Sequence, residues 1–157
     1  MLRDHKPDLI LIHTGVNDIV RADPATVARK LAQTVQRMRD AHPQLKIVVS
    51  EITPRMTTKD DEVKICNEHL HAYLDPMDNV TMALHSNLRT PNWEFYKDDK
   101  HFDPSSIRKF ASNLKIALRS AIGIVERERK TKTAGRKQKI DNVGELKKRL
   151  LQVLQGM

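Results

Sequence analysis

Apolar and polar positions fall along this chain in blocks that read as strand, helix, strand, helix, strand, loop, helix. Leu9-Ile10-Leu11-Ile12-His13 is an apolar run with polar ends, the pattern of a strand buried on both faces of a parallel sheet. Asp23-Pro24 gives a helix cap followed by proline at the first helical position. Val27, Leu31, Val35 and Met38 then recur at helical spacing until His42-Pro43 stops the helix. Lys46-Ile47-Val48-Val49-Ser50 reads as a second buried strand that runs into a loop, Glu51-Ile52-Thr53-Pro54-Arg55. Thr58 with Asp61 three residues on has the look of a capping box, opening a helix with Val63, Cys66, Leu70 and Tyr73 on one stripe. Asn79 to Leu84 is a weaker third strand, and residues 85–102 read as loop with Pro91, Trp93, Phe95 and Tyr96 as a local core. Asp103-Pro104 repeats the cap signal before a long amphipathic helix marked by Ile107, Phe110, Ala111, Leu114 and Leu118. This order predicts an α/β fold, a three-layer parallel sheet with right-handed crossovers.

The same pattern sets where chemistry can occur, because ligands of open α/β sheets bind beyond the carboxyl ends of the strands. Gly15-Val16-Asn17-Asp18 follows the first strand, Ser50 to Thr53 the second, and His85-Ser86-Asn87 the third; Asp98-Asp99-Lys100-His101 lies in the loop beyond. An Asn17 amide can donate to the negative charge of a tetrahedral intermediate, worth about 3 kcal/mol of barrier. Asp98, three residues before His101, can fold back on the ring, fix its tautomer and support its cation. An amide donor and a carboxylate-held imidazole make most of an acyl-transfer site. The plainer alternatives are a simple turn at Gly15–Asp18, a surface His101, a solvated Asp98-Asp99 pair and Asp103 as a cap. The six serines, Ser50, Ser86, Ser105, Ser106, Ser112 and Ser120, match no nucleophile motif, and only Ser50 stands at a strand end on that edge. His69 and His71 diverge on a helix and read as a surface pair rather than a metal site, and Cys66 reads as core.

A chain of 157 residues suffices for one domain with a real core. No stretch approaches the ~18–20 apolar residues of a membrane span, and Met1 to Lys6 lacks a signal peptide's apolar centre. A single cysteine excludes an internal disulfide and fits a reducing, intracellular compartment, cytoplasmic or nuclear. The net charge of +8 is unevenly spread: residues 1–123 hold 18 Lys and Arg against 16 Asp and Glu, residues 124–157 hold 10 against 4. We therefore divide the chain into a near-neutral body, 1–123, and a basic tail, 124–157. Arg127, Arg129, Lys130, Lys132, Arg136, Lys137 and Lys139 are candidate RNA or DNA contacts, the alternative being a solvated segment. Leu146, Leu150, Val153 and Leu154 mark a short amphipathic helix near the end.

The stretch Lys6-Pro7-Asp8-Leu9-Ile10-Leu11-Ile12-His13-Thr14-Gly15-Val16-Asn17-Asp18 resembles the third sequence block of the SGNH (GDSL-type) hydrolases, and Asp98-Asp99-Lys100-His101 resembles their last, Asp-x-x-His. Glu51–Arg55 and Phe110–Lys115 are similar to further text of that family. The resemblance covers about residues 6–122 and is closest to the esterase-like domains of animal non-LTR retrotransposons. It implies an SGNH/flavodoxin-like sheet and hydrolysis of carboxylic esters by a Ser-His-Asp mechanism without metal or cofactor. It also implies Asn17 as oxyanion-hole donor, His101 as general base, Asp98 as its orienter, and Gly15 and Asp18 as loop support. The family's Gly-Asp-Ser block with the nucleophile, and its second-block Gly, have no counterpart here. We therefore expect an N-terminally truncated domain, a pseudoenzyme inactive unless an N-terminal segment completes it for an ester substrate. The alternative is a non-catalytic, retrotransposon-derived module that binds RNA or DNA through its tail. Truncation is expected to leave residues 9–13 as an unpaired apolar edge, prone to aggregation, self-association or pairing with a partner.

Overall fold

Three parallel strands carry the fold of this computed structural model, which describes residues 7–55, 58–89, 93–98 and 101–124. The elements in chain order are β1 (Leu9–Ile12), α1 (Val16–Ile19), α2 (Pro24–Ala41), β2 (Lys46–Ser50), α3 (Asp60–Leu74), β3 (Val80–Ala83) and α4 (Pro104–Ala121), with 3₁₀ turns at Ser86–Leu88 and Trp93–Phe95. The strands lie in the order β1-β2-β3, with Ile10 opposite Ile47, Ile12 opposite Val49, and Ser50 opposite Ala83.

Strand side chains alternate between two layers. Ile10, Ile12, Ile47 and Val49 pack with Val27, Leu31 and Val35 of α2 and Val63, Cys66 and Leu70 of α3. Leu9, Val48 and Ala83 meet Leu114, Ala117 and Leu118 of α4 on the other face. Both Asp-Pro signals form as expected: Asp23 accepts from the Thr26 amide at 2.9 Å, and Asp103 from the Ser106 amide at 2.6 Å.

The structure corrects several expectations. The Thr58 capping box is absent: α3 is capped by Lys59 without a side-chain bond, and the Thr58 hydroxyl bonds Arg55 instead. Acidic Asp60, Asp61 and Glu62 favour that helix start through the dipole. Tyr73 lies on the surface, and Leu74 takes its place in the stripe. The α4 stripe is only partly covered, with Ile107 and Ala111 exposed, because the face that α4 lays on β2 and β3 takes Ser106, Leu114, Ala117 and Leu118 instead. The double burial expected of β1 belongs to β2. Among the described residues β1 has a neighbour on one side only, and Leu11 is 37% exposed. A groove of about 370 Å³ opens at that edge between Ile12, Gly15 and Asp18 and the α2 residues Val27, Leu31 and Met38. Among the described residues no helix is long and apolar enough to cross a membrane.

Candidate active site

β1 ends in a turn that only glycine fits. Gly15 has φ +108°, and a Cβ there would stand 2.7 Å from Ile52 Cδ1. Its carbonyl accepts from the Asp18 and Ile19 amides, each at 3.0 Å, and so winds Val16–Ile19 into one helical turn. That turn buries Ile19 and leaves Asn17 and Asp18 exposed. Asn17 Oδ1 accepts from Arg55 Nη1 at 2.8 Å.

Asp98 folds back on His101. Its Oδ1 and Oδ2 lie 2.9 and 2.8 Å from His101 Nδ1, and Oδ1 also accepts from the His101 amide at 2.8 Å. A carboxylate on Nδ1 fixes the Nδ1–H tautomer and leaves Nε2 as the basic nitrogen, on a side chain 75% exposed. The turn is held by the Lys97 amide on the His101 carbonyl and by an antiparallel bridge between Tyr96 and Phe102. Buried Tyr96 donates its hydroxyl to the Pro54 carbonyl. The segment Pro54–Arg55 is therefore bonded at one end to the Asn17 turn and at the other to the turn of Asp98 and His101.

The sequence reading missed a polar row beneath these loops, buried at Ser50 and His85 and exposed at its ends, His13 and Asn87. Ser50 Oγ lies 2.8 Å from His85 Nε2 and 3.0 Å from His13 Nδ1. Asn113 Nδ2 donates to His85 Nδ1 at 3.1 Å and to Asn87 Oδ1 at 2.7 Å. Phe110 stacks on His85, centroids 4.5 Å apart, and meets His13 edge-on at 4.9 Å. Burial pushes the His85 imidazole down to about 4. Burial, and then the charge of Arg55, lowers His13.

Glu51 forms a second buried node. Its Oε2 accepts from the His85 amide at 2.7 Å, and its Oε1 from His71 Nε2 and Arg89 Nη2, both at 2.9 Å. Burial acts to raise this carboxyl, but the His85 amide, His71 and Arg89 together hold it below its ordinary value. His71 is raised in turn: burial opposes its charge, while Glu51 and Asp75 favour it. His71 is therefore more than a surface residue, while His69 turns away to stack on Tyr73. One signal for both nodes was present: Ser50 continues the alternation of Val48, and Glu51 that of Ile47 and Val49, so polar residues fall where buried ones are due.

Ser50 and Ser106 are buried, and Ser86, Ser105, Ser112 and Ser120 lie on the surface. Cys66 is buried in the core. Among the described residues no cluster of His, Cys, Asp or Glu has the makings of a metal site. Pro91, the Trp93 side chain and the tail residues Arg127, Arg129, Lys130, Lys132, Arg136, Lys137 and Lys139 lie outside the described residues, as do Leu146, Leu150, Val153 and Leu154.

A parallel α/β sheet with a Gly-x-Asn-Asp turn at one strand end and an Asp-x-x-His pair beyond another agrees with comparisons to known proteins. A sequence model of the GDSL-like lipase/acylhydrolase family matches residues 1–105, more than half of the chain, and the chain belongs to that family. No curated protein sequence matches it. Its fold is similar to that of an acetyl esterase carrying a serine-to-alanine substitution, determined with an acetate ion, at 18% identity and TM-score 0.63 over 77% of this chain and 61% of that one. It is also similar to a carbohydrate esterase family 3 protein from Talaromyces cellulolyticus, at 16% identity and TM-score 0.61 over 80% of this chain and 63% of that one. At such identities the likeness is one of fold. The chain spans about three-fifths of the length of either structure.

Proposed function

We propose that the loops at the carboxyl ends of β1 and β3 form the acid–base and oxyanion part of a site that hydrolyses carboxylic esters, within a hydrolase-like domain of residues 1–123. His101 is the general base, Asp98 its orienter, Asn17 a donor to the oxyanion, and Gly15 and Asp18 shape the loop that carries Asn17. The observation that carries this reading is the Asp98–His101 contact, 2.8 Å from carboxylate to Nδ1 with the ring open to solvent. Family membership and the fold of the two esterase neighbours support it.

The nucleophile is proposed to come from outside residues 7–124. Ser50 is sequestered, and the motif that bears the nucleophile in this family has no counterpart in the sequence. The chain alone is then a pseudoenzyme, and the exposed edge of β1 is the place for a completing strand or a second copy. Hydrolysis of p-nitrophenyl acetate by the full chain is the test. No turnover above the buffer rate, and no labelling by a fluorophosphonate, are expected. Saturable turnover lost both on His101→Ala and on fluorophosphonate treatment would show that the chain carries its own nucleophile.

The charge distribution favours a second reading, in which a module related to the esterase-like domains of animal non-LTR retrotransposons binds RNA or DNA through residues 124–157, with 10 basic against 4 acidic side chains. Affinity for a single-stranded oligonucleotide that falls steeply with salt and vanishes on deletion of 124–157 is its signature. Equal binding by the deleted chain rules it out.

A further inference from the structure

We propose that Arg55 is a positioning residue: its guanidinium grips the Asn17 side chain by Oδ1 and turns Nδ2 outward as a donor to a bound oxyanion. The inference rests on the reading of Asn17 given above and deepens it.

An asparagine amide has a donor end and an acceptor end of nearly equal size, and half a turn about its last torsion exchanges them. Asn17 sits exposed on a single helical turn, where such an exchange costs little steric energy. A site that must offer N–H to a developing negative charge has to prevent it. Arg55 does so by chemistry. A guanidinium has only donors and keeps its charge, so the atom 2.8 Å from Nη1 has to be the amide oxygen. The bond is charge-assisted, and drawing electron density toward Oδ1 makes the Nδ2 hydrogens better donors.

The arm that carries the guanidinium is itself fixed. The Arg55 amide donates to Thr58 Oγ1 at 2.7 Å, and the Thr58 hydroxyl and amide donate back to the Arg55 carbonyl at 2.9 and 3.0 Å. Pro54, just before it, is buried and accepts from Tyr96, two residues ahead of Asp98. The threonine that the sequence pattern assigns to a helix cap is thus spent on holding Arg55. Because the same arm braces both turns, Arg55 also fixes where the amide donor stands relative to the Asp98–His101 turn.

The test reads the Asn17 amide directly. In the ¹⁵N-labelled full chain its side-chain NH₂ pair is assigned by its loss in Asn17→Asp, and acetate serves as the oxyanion probe. The wild-type pair is expected to move on titration with acetate. Arg55→Met is expected to displace the pair before any acetate is added, and to weaken the acetate response at Asn17 by about tenfold, the scale of one charge-assisted bond. Arg55→Lys, which keeps a charged donor, is expected to restore most of both effects, a recovery that a purely structural tie would not give. If Arg55→Met fails to fold, Arg55→Gln is read in the same way. An Asn17 pair identical in the wild type and the variant overturns the proposal whatever acetate does. A pair that moves on Arg55→Met but ignores acetate in the wild type upholds Arg55 as the holder of Asn17 and overturns the reading of Asn17 as an oxyanion donor instead.

Discussion

The Ser50 hydroxyl lies 2.8 Å from His85 Nε2, yet His85 is the tautomer that cannot take its proton. Asn113 Nδ2 points at His85 Nδ1 from 3.1 Å, and an amide nitrogen only donates, so Nδ1 is the accepting nitrogen. With its pKa pushed down to about 4 by burial, the ring is neutral at pH 7 and carries its single hydrogen on Nε2. Ser50 therefore accepts from His85. Its side chain is also shut away, at 1% exposure, from any substrate carbonyl. A serine–histidine contact of this length invites a catalytic reading, but its hydrogen-bond direction makes it structural. The Asp98–His101 pair has the opposite character: its carboxylate sits on Nδ1 and its ring faces solvent.

Ser50→Ala is accordingly expected to act on stability and leave any ester turnover unchanged. It strips the His85 Nε2 hydrogen of its acceptor inside the protein, which costs about 1–3 kcal/mol. Urea denaturation at pH 7 reads this. A variant as stable as the wild type would mean that the row from Asn87 to His13 does not depend on its central hydroxyl.

His85 also gives stability a definite dependence on pH. Its folded pKa, about 4, lies below the unfolded value of 6.5, so between these limits the unfolded chain binds the extra proton. Stability should be fully present above 6.5 and fall by up to about 3 kcal/mol as pH drops toward 4. His13, also lowered, acts in the same direction. His71 is raised, so its contribution is present at low pH and fades only as pH climbs through its raised value. Glu51 is lowered, and its contribution goes only once pH falls below the ordinary carboxylate range. Urea midpoints between pH 4.5 and 6.5 therefore read the two lowered histidines. His85→Asn is expected to flatten most of the slope; an unchanged slope would place the acid sensitivity elsewhere.

How much of this was legible in the sequence follows from how local each interaction is. Asp98 and His101 are three residues apart, and so are both Asp caps and the amides they serve, so spacing alone revealed them. Ser50 and His85, Glu51 and Arg89, and Asn17 and Arg55 are separated by 35 to 38 residues and meet only because parallel crossovers bring every strand's carboxyl end to one edge. The pattern named that edge but not who pairs with whom on it. Periodicity likewise showed which face of α4 is apolar, but not that Ile107 would remain 53% exposed, since cover depends on what lies opposite.

Glu51 accepts from three partners at once, so its loss should cost stability. Glu51→Ala removes the shared acceptor of Arg89, His71 and the His85 amide; Arg89, 57% exposed, turns to water and His71 keeps Asp75, but the buried His85 amide is left without a partner. Leaving a buried amide without an acceptor costs about 1–3 kcal/mol. Because the His85 amide hangs on Oε2, the imidazole should also lose its place under Phe110, visible as a change in the His85 ring proton shifts. Glu51→Gln keeps one accepting oxygen and should lose less. A denaturation midpoint within 1 kcal/mol of wild type for Glu51→Ala would contradict the role of this carboxylate.

Gly15 separates two costs that a simple alanine substitution confounds. Gly15→Ala puts a side chain at φ +108°, a backbone penalty of about 1–3 kcal/mol, and drives its Cβ to within 2.7 Å of Ile52 Cδ1. Ile52 is buried, so its terminal methyl has little room to retreat. Ile52→Val deletes that methyl and, on its own, should cost about 0.5–1.5 kcal/mol of packing. In the Gly15→Ala background the same deletion relieves the clash, so the double variant should be more stable than the sum of the singles by about 1 kcal/mol. The part that Ile52→Val does not recover is the backbone strain, which no change of neighbour removes. If the two substitutions are additive in urea denaturation, the requirement for glycine lies in its φ alone, and the contact with Ile52 plays no part in shaping the turn that carries Asn17.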